Sequence, residues 1–291
     1  MTSSLCHAVP DYPRPVVVPT LVNRRTADAR ARTEWTNLGF WRGVRRYGEA
    51  ARELARRVGE AAKLTEGDVV LDCACGYGDS IRLWIEQFGV QHVFAVEPDP
   101  TITAHIAERV KLWGLTDRVT VLTMRAEAVV LAQHAPGITA VVCVDAAYHF
   151  DTRSSWLATL SRQLPVDTRI ALADLSIARL RYSRLVAAIA RRTGIPEVNL
   201  WALDEIEPQM SEAGFTVDRL LRCGSEVLGG FARYVMLAPW RFLSQPQRGG
   251  WRAMTTAVGI LAARRGERLE YVLIAAHKAR GRISASTRPL A

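Results

Sequence analysis

Two carboxylates and two glycines stand where a parallel α/β sheet binds its ligands. Asp72 ends an apolar run at residues 69–71, and Gly76 and Gly78 follow as a turn without side chains before a helical pattern begins. Glu97 ends a second apolar run, 21 residues after Gly76. Ligands of such sheets bind beside the carboxyl ends of the strands, where the backbone allows a close approach. These four residues therefore predict a binding site at the ends of the first two strands.

The charges distinguish between two kinds of nucleotide ligand. A dinucleotide fingerprint, G-x-G-x-x-G, leaves the N-terminus of the following helix free for a pyrophosphate. Here Asp72 lies four residues before Gly76, and its carboxylate would repel a pyrophosphate but would suit an ammonium group. Glu97 can accept hydrogen bonds from both hydroxyls of a ribose. The pattern indicates an adenosine ligand with an amino-acid tail.

Apolar runs alternate with amphipathic stretches, as a parallel sheet with helical crossovers requires. We expect strands at residues 69–72, 92–97, 118–124, 138–145, 169–175, 215–221 and 268–277. We expect helices at about residues 44–63, 101–113, 152–164, 179–192 and 203–213, and a helical, aromatic-rich region at 228–261. This region lies between the last two strands, which favours a sheet finished by an antiparallel pair, with inserted helices that can roof the ligand edge.

Composition limits the classes of partner. Of 291 residues 49% are hydrophobic, which is enough for one large domain, or one domain with an appended lid. The net charge of +9 invites a nucleic-acid partner, but 3 of the 38 basic residues are lysine and the arginines are scattered, so a solvated surface is favoured. No run approaches the roughly 20 apolar residues of a membrane span. The start of the chain, Met1 to Thr20, lacks the pattern of a signal peptide, and we expect a cytoplasmic protein.

The five cysteines do not follow a metal-site pattern. Cys73 and Cys75 are separated by one residue, with no second Cys or His pair at zinc spacing. Buried thiols in a reducing compartment are the favoured interpretation. We expect no metal.

Four motifs in order resemble those of the class I S-adenosylmethionine-dependent methyltransferases. Residues 70–78 (VLDCACGYG) resemble the first motif of that family and residues 93–98 (VFAVEP) resemble the second. Residues 140–145 (AVVCVD) are similar to its fourth strand, and residues 213–215 (AGF) to the element before its sixth. The resemblance covers about residues 64–278. It implies a Rossmann-like, seven-stranded, mostly parallel sheet with an antiparallel last strand, plus a helical lid.

The resemblance also implies a site for S-adenosylmethionine. The residues that match the motifs, or stand beside them, are Trp41, Asp72, Ala74, Cys75, Gly76, Gly78, Glu97, Pro98, Arg125, Ala126, Glu127 and Asp145. In this assignment Asp72, Cys75, Gly76 and Gly78 hold the methionine part, Glu97 holds the ribose and residues 125–127 form the adenine edge.

Two positions depart from the family pattern. Ala74 stands where glycine is usual, which reduces clearance. Residues 124–127 (MRAE) replace a Gly-Asp-Ala pattern whose Asp reaches the adenine amino group. Arg125 cannot accept that hydrogen bond, so the backbone of Ala126 or the carboxylate of Glu127 would have to do so.

Residues 145–151 (DAAYHFD) resemble the small-molecule branch of the family, which includes sterol, tocopherol and sugar methyltransferases and cyclopropane fatty acid synthases. A histidine often follows the fourth strand of these enzymes, beside the transferred methyl group. We therefore expect His149 to be the catalytic base, since an imidazole can take a proton from a hydroxyl, an amine or a carbon acid. A purely structural role is its alternative. Residues 38–41 (LGFW) resemble a Gly-Tyr-Trp segment that closes over the cofactor, which places Trp41 there.

Two further groups suggest how an acceptor could be held. Six aromatic side chains could line an apolar acceptor pocket or simply pack between helices: Trp201, Phe231, Tyr234, Trp240, Phe242 and Trp251. Four arginines on one expected helix would suit an acidic or phosphorylated acceptor, although a solvated helix face is favoured: Arg181, Arg184, Arg191 and Arg192.

These observations combine into one hypothesis. Residues 1–63 form an N-terminal arm and lid helix, and residues 64–291 form an S-adenosylmethionine-binding methyltransferase domain with helical insertions at about 176–214 and 228–264. The predicted reaction is transfer of a methyl group to O, N or C of a small, largely apolar metabolite of specialised, lipid-like or isoprenoid-like metabolism. A homodimer is possible. An RNA methyltransferase and a non-catalytic S-adenosylmethionine-binding protein are the alternatives.

Overall fold

Seven strands form a single sheet in the order β3-β2-β1-β4-β5-β7-β6. The computed structural model describes residues 30, 32–178, 184–243, 250–264 and 269–280. Strands β1 to β6 are parallel to one another, whereas β7 runs antiparallel to both of its neighbours, β5 and β6. The strands are β1 (Val69–Cys73), β2 (His92–Glu97), β3 (Val119–Thr123), β4 (Ala140–Val144), β5 (Arg169–Ile177), β6 (Phe215–Arg222) and β7 (Leu269–Lys278). The predicted sheet, including its antiparallel last strand, is confirmed.

Helices flank the sheet and connect its strands. They are α1 (Tyr47–Ala61), α2 (Asp79–Phe88), α3 (Pro100–Trp113), α4 (Leu131–His134), α5 (Arg153–Gln163), α6 (Arg184–Thr193), α7 (Ile206–Glu212), α8 (Gly230–Leu237), α9 (Pro239–Leu243) and α10 (Gly250–Arg264). Short 3₁₀ turns follow β3 (Ala126–Ala128) and β4 (Ala147–His149), and another precedes α7 (Glu197–Asn199). A π-helical turn (Ser225–Gly229) leads into α8.

The central strands are buried on both faces, which explains their continuous apolar runs. Along β1, Val70 packs on one face with Leu54 and Trp84, whereas Leu71 packs on the other face with Trp156. The apolar face predicted for α1 is also buried, at Tyr47, Ala50, Leu54 and Val58. The sheet is therefore a rigid layer between two cores, and it fixes the positions of the loops at its edge.

The strand order reverses at β1, which lies between β2 and β4. In open α/β sheets the loops that leave the carboxyl ends of such neighbouring strands diverge, and the crevice between them is where ligands bind. Residues 32–41, which form neither helix nor strand, reach this edge: Leu38 N–H donates to Asp145 Oδ2 at 2.7 Å, and Trp41 N–H donates to Glu226 O at 3.0 Å.

The C-terminal half differs in detail from the expectation. β5 extends beyond the expected end at residue 175 to Ile177, which pairs with Leu269 of β7 and forms an additional parallel bridge to Ala202. The expected helical region at 228–261 consists of α8, α9 and α10. Residues 1–29 and 31 of the predicted N-terminal arm lie outside the described residues, and the division into a lid and a catalytic domain stays a prediction. No helix in the described part of the chain is long and apolar enough to cross a membrane.

Candidate cofactor and acceptor site

The turn after β1 uses left-handed backbone repeatedly. Ala74, Gly76 and Gly78 have φ angles of 58°, 56° and 86°. A Cβ at Gly76 would lie 3.1 Å from Thr36 Oγ1, so the turn also approaches the N-terminal segment closely. Ala74 carries a Cβ in a backbone region that costs about 1–2 kcal/mol for a residue other than glycine. Alanine at position 74, where the family pattern has glycine, therefore strains the backbone. Such strain is concentrated at functional sites in proteins.

A cleft of about 340 Å³, part of it open to solvent, lies over this turn. Its walls come from the N-terminal segment, from the β1–α2 turn and from the end of β4. The lining residues are Glu34, Trp35, Thr36, Asn37, Asp72, Ala74, Cys75, Gly76, Tyr77, Asp79, Ser80 and Val144. The structure thus brings together four predicted residues (72 and 74–76) with residues of the N-terminal segment that no motif had identified.

One oxygen of Asp72 anchors its side chain at the end of β1. Ser80 Oγ donates to Asp72 Oδ2 at 2.7 Å, and Trp84 Nε1 donates to the same oxygen at 2.8 Å. No described residue donates to Oδ1, although Asp72 lines the cleft. Burial raises the pKa of Asp72 to about 6, and the two hydrogen bonds oppose that rise. The carboxylate is held in one orientation with its second oxygen available to a cationic ligand.

Glu97 is a buried carboxylate, and few hydrogen bonds from the protein replace its lost hydration. It ends β2, next to β1, and its side chain is buried. Asp99 N–H donates to Oε1 at the long distance of 3.4 Å, and the backbone of Gly76 contributes a second contact. Burial raises the pKa of Glu97 to about 7. A hydroxyl-bearing ligand would supply the hydrogen bonds that this group lacks.

The segment after β3 pairs Arg125 with two carboxylates. Arg125 Nη2 lies 2.9 Å from Glu127 Oε1 and 2.6 Å from Asp151 Oδ2. Asp151 N–H also donates to Glu127 Oε1, at 3.0 Å. Glu127 Oε2 is buried and accepts no hydrogen bond from a described residue. Of the two acceptors proposed for adenine, the Glu127 carboxylate thus has an unused, buried oxygen, while neighbouring Ala126 is buried.

An ion cluster fixes the N-terminal segment onto the β1–α2 turn. Arg109 on α3 forms a bidentate pair with Asp79, with nitrogen–oxygen distances of 2.9 and 3.0 Å. Glu34 N–H donates to Asp79 Oδ2 at 2.8 Å, and His105 bonds to the Glu34 carboxylate. The Arg109 guanidinium also donates to the carbonyl of Tyr77 and lies over the ring of Trp113. These contacts close one wall of the cleft.

Asp145 joins three parts of the molecule. It follows β4 with a φ of 62°, and Oδ1 accepts from the hydroxyls of Tyr148 at 2.8 Å and of Tyr271 on β7 at 2.7 Å. Oδ2 accepts from Leu38 N–H. Burial raises the pKa of Asp145 to about 6. The described contacts make Asp145 a junction of the N-terminal segment, the β4 turn and β7, and its role in cofactor binding stays a prediction.

His149 ends the 3₁₀ turn after β4. Its Nδ1 lies 3.3 Å from Gly194 O, so Nδ1 carries the proton and Nε2 has the free lone pair. No described residue contacts Nε2 by a hydrogen bond. Burial lowers the pKa of His149 to about 4, with the Gly194 contact opposing the shift, and the imidazole is neutral at pH 7. The geometry suits proton acceptance at Nε2, although the low pKa makes the base weak.

A buried ion pair holds the backbone on both sides of His149. Arg153 pairs with Asp174, and both are buried. Asp174 Oδ1 accepts from Tyr148 N–H at 3.1 Å, and the Asn199 side-chain amide donates to the carbonyls of Tyr148 and Phe150. This network was absent from the sequence prediction, and it fixes the direction in which the His149 ring points.

The remaining predicted residues lie elsewhere. Trp41 stacks on Tyr234 of α8, with ring centroids 4.6 Å apart, and its Nε1 donates to Leu38 O. It does not line the cleft, so these contacts do not support its assignment to the cofactor. Pro98 follows Glu97 and leads into α3, and Gly78 is the N-cap residue that precedes α2.

The aromatic side chains that the structure describes among these six do not form a single acceptor pocket. Trp201 is buried beneath the Arg153 guanidinium at 3.7 Å. Phe231 and Phe242 are buried in the core, whereas Trp240 is exposed. The side chain of Trp251 lies outside the described part. Of the four arginines, Arg191 pairs with Glu197 at 3.4 Å and Arg192 is exposed, while Arg181 and the side chain of Arg184 lie outside the described part. Solvated arginines agree with the favoured interpretation.

The described residues contain no group of three or more His, Cys, Asp or Glu side chains that could hold a metal ion. Cys73, Cys75, Cys143 and Cys223 are free thiols there, and burial raises the pKa of each.

Residues 70–167 match the family model of a methyltransferase domain. The chain carries a methyltransferase domain. The match begins within β1 and includes Glu97, Asp145 and His149, so it covers the sheet edge where the cleft lies. The resemblance drawn from the sequence motifs is confirmed.

Similar proteins support the same domain and fold. Erythromycin 3''-O-methyltransferase from Saccharopolyspora erythraea is 28% identical over 199 residues. These residues are 65% of this chain and 64% of that relative, so the chain spans somewhat less than two thirds of the relative's length. A sarcosine dimethylglycine methyltransferase candidate from Galdieria sulphuraria has a TM-score of 0.69 at 16% identity, covering 84% of this chain and 92% of that one. Geranyl diphosphate C-methyltransferase from Streptomyces coelicolor A3(2), solved with Mg²⁺, geranyl diphosphate and S-adenosylhomocysteine, has a TM-score of 0.66 at 16% identity, covering 79% and 80%. The two structures share the fold of this chain.

Proposed function

We propose that this protein is an S-adenosylmethionine-dependent methyltransferase that acts on a small, largely apolar molecule. The observation that carries the proposal is the pair of buried carboxylates, Asp72 and Glu97, at the ends of adjacent strands beside the left-handed turn at Gly76. One carboxylate suits an ammonium and the other suits ribose hydroxyls, so together they match the two polar ends of this cofactor.

The residues present fit the cofactor on two further grounds. Glu97 has a raised pKa and a long hydrogen bond from Asp99 N–H, and Glu127 Oε2 is buried without a partner among the described residues. Buried acceptors of this kind are rare unless a ligand or water satisfies them. In the proposed site Asp72, Cys75 and Gly76 hold the methionine part, Glu97 holds the ribose, and Glu127 accepts from the adenine amino group.

When bound, S-adenosylmethionine supplies a methyl group activated by its sulfonium leaving group. The protein residues then have to orient the acceptor and keep water out. Orientation of this kind accounts for roughly 7–11 kcal/mol of a barrier. Residues 34–37 wall the cleft, and His149 Nε2 would take the proton from an acceptor hydroxyl or amine.

The nature of the acceptor is supported by the relatives rather than by a pocket. The curated relative is named for O-methylation of erythromycin, and one structural neighbour is named for C-methylation of geranyl diphosphate. Both acceptors are small molecules with extensive apolar surface. We propose an acceptor of that class, a cytoplasmic location and a homodimer for this chain.

Two alternatives are retained from the sequence. An RNA methyltransferase would use the net charge of +9, and its binding would weaken steeply with salt. A non-catalytic binding protein would bind S-adenosylmethionine tightly without methyl transfer to any acceptor. Both alternatives would use the same cofactor site at Asp72 and Glu97, so methyl transfer to a small acceptor and the salt dependence of RNA binding distinguish them from the proposal.

Calorimetric titration with S-adenosylmethionine and S-adenosylhomocysteine tests the cofactor site. We expect micromolar dissociation constants, weakened at least tenfold by Glu97→Gln and unchanged by Glu108→Gln, which alters an exposed carboxylate on α3. Absence of binding by the wild-type protein would overturn the proposal. Binding without formation of S-adenosylhomocysteine from macrolide, terpenoid and polyketide acceptors would favour the non-catalytic alternative.

A further inference from the structure

Helices α8, α9 and α10 expose a cluster of large apolar side chains. Leu237 is 71% exposed and Trp240 is 69% exposed, and Met236 and Leu243 are also exposed. All four lie between positions 236 and 243. Val258 and Leu261 on α10 are exposed as well, so six of the ten exposed large hydrophobic residues of the described chain belong to these three helices. We call the six residues the apolar patch.

The helices that carry the apolar patch also bury apolar side chains in the core. On α8 the opposite side is buried, at Phe231, Ala232 and Val235. Phe242 on α9 is buried, as are Ala257 and Ile260 on α10. A surface helix usually directs charged or polar residues to solvent. These helices bury one apolar face in the core and present a second to solvent, and clustered exposed apolar residues mark an interaction site.

The charge around the patch restricts its partner. The sequence from residue 227 to residue 266 contains six arginines and no aspartate or glutamate. Arg233, in the described part, is exposed on α8 one turn before Leu237. Two copies of such a face would bring like charges together, which disfavours self-association. A partner that is anionic at its surface and apolar inside can pair with the positive charges and can also bury the apolar side chains.

We propose that the apolar patch docks the protein on bilayers that contain anionic phospholipids. Trp240, Leu237 and Met236 enter the boundary between headgroups and acyl chains, and Arg233 interacts with the lipid phosphates. The docking is peripheral, because no described helix is long enough to cross a membrane. Interfacial helices of this type bind through the sum of buried apolar area and attraction to anionic lipids.

Helix α8 also contacts the N-terminal segment, other residues of which line the cleft. Tyr234 on α8 stacks on Trp41, and a Cβ at Gly230 would lie 2.3 Å from Trp41 Cβ. Trp41 belongs to the segment whose residues 34–37 line the cleft. A lipid-dissolved acceptor would therefore be delivered beside the site of the proposed reaction. The docking itself does not depend on that reaction.

Vesicle co-sedimentation of the full chain tests the proposal. We expect the protein to bind vesicles of phosphatidylcholine that contain phosphatidylglycerol as the minor, anionic component. Binding to vesicles of pure phosphatidylcholine should be at least fivefold weaker. This difference should disappear when the salt concentration is raised from about 0.1 M to about 0.5 M, because charges are then screened. Leu237→Gln/Trp240→Gln should weaken binding to the mixed vesicles at least tenfold. A matched control, Leu112→Gln/Val166→Gln, changes two exposed apolar residues outside the patch and should bind as the wild type does.

Three results would overturn the proposal. The first is no binding of the wild-type protein to the mixed vesicles, and the second is equal binding by the patch and control variants. The third is a wild-type dimer, seen by light scattering, that ignores vesicles and dissociates only in the patch variant, which would assign the face to a second copy. Titration with S-adenosylhomocysteine verifies that each variant is folded, and it keeps failure of the docking proposal distinct from failure of the proposed function.

Discussion

The Glu97 carboxylate is buried and accepts few hydrogen bonds from the protein. It can therefore accept hydrogen bonds from a ligand. Burial raises its pKa from 4.5 to about 7. Between these two values the folded state holds the proton more firmly than the unfolded state does. The contribution of Glu97 to the free energy of unfolding therefore falls as the pH rises from about 4.5 to 7. Above pH 7 the ionised group opposes folding by up to roughly 3 kcal/mol, since one pKa unit corresponds to about 1.4 kcal/mol.

The first prediction separates stability from binding at Glu97. Glu97→Gln removes the charge and should raise the free energy of unfolding at pH 8 by about 1–3 kcal/mol, with a much smaller gain at pH 5. The same variant should bind S-adenosylhomocysteine at least tenfold more weakly. Denaturant unfolding at the two pH values measures the first effect, with Glu108→Gln as control. A variant that is destabilised at pH 8 would show that the Glu97 carboxylate is better solvated than its surroundings indicate.

The second prediction concerns the pH dependence assigned to His149. Its pKa of about 4 leaves the imidazole neutral above pH 5, so no loss of rate should arise from its protonation between pH 6 and 9. His149→Gln should lower kcat about 10²–10⁴-fold if the residue is a general base, with cofactor affinity unchanged. Rates of S-adenosylhomocysteine formation across this pH range provide the measurement. A fall in rate of less than about threefold would leave His149 a structural residue.

At the scale of the elements, the N-terminal segment is held by side chains that are distant in sequence. Asp145 Oδ2 accepts from Leu38 N–H, across 107 residues, and Asp79 accepts from Glu34 N–H, across 45. Neither contact is a backbone hydrogen bond within a helix or a strand. The segment therefore depends on two buried carboxylates for its position, and it forms one wall of the cleft.

The third prediction tests this dependence at Asp145. Asp145→Asn offers one acceptor oxygen instead of two, and it places an amide N–H₂ against either the Leu38 N–H or the tyrosine hydroxyls. We expect a loss of about 1–3 kcal/mol in the free energy of unfolding, as for a buried group left without its partner, and faster hydrogen exchange in residues 34–41. Tyr271→Phe, which removes one donor, should have the smaller effect. Unchanged exchange in this segment would show that other contacts hold it.

Features that depend on local sequence signals could be predicted, whereas features that depend on contacts between distant residues could not. The strands and the motif carboxylates Asp72 and Glu97 were predictable, because apolar runs and glycine turns are local signals. The strain at Ala74 was not predicted, since its φ is set by the surrounding sheet. The Arg109–Asp79 pair and the Arg153–Asp174–Asn199 network join residues 21 to 46 positions apart, and no spacing pattern marks them. Trp41 was assigned to the cofactor by motif alone, and its stacking on Tyr234 depends on α8, a helix near the other end of the chain.

For the whole molecule, the cleft is built from the β1–α2 turn, the N-terminal segment and β4, so a ligand there binds only the folded chain. Such a ligand stabilises folding by about 2.7 kcal/mol at a concentration 100 times its dissociation constant. For a protein of this size that corresponds to a rise in Tm of roughly 4–5 °C.

The fourth prediction is therefore a thermal shift that depends on the identity of the ligand. S-adenosylhomocysteine at 100 times its dissociation constant should raise the Tm by this amount, and the same concentration should give about half that rise or less in Glu97→Gln, because a tenfold weaker affinity leaves about 1.4 kcal/mol of stabilisation. NADH is the comparison, because its pyrophosphate would be repelled by Asp72, and it should give no shift. A ligand that also orders the N-terminal segment would slow hydrogen exchange at residues 34–41 as well as in the turn after β1. A shift with NADH but none with S-adenosylhomocysteine would assign the crevice to a dinucleotide, and it would mean that the Asp72 carboxylate is protonated or turned away when the ligand binds.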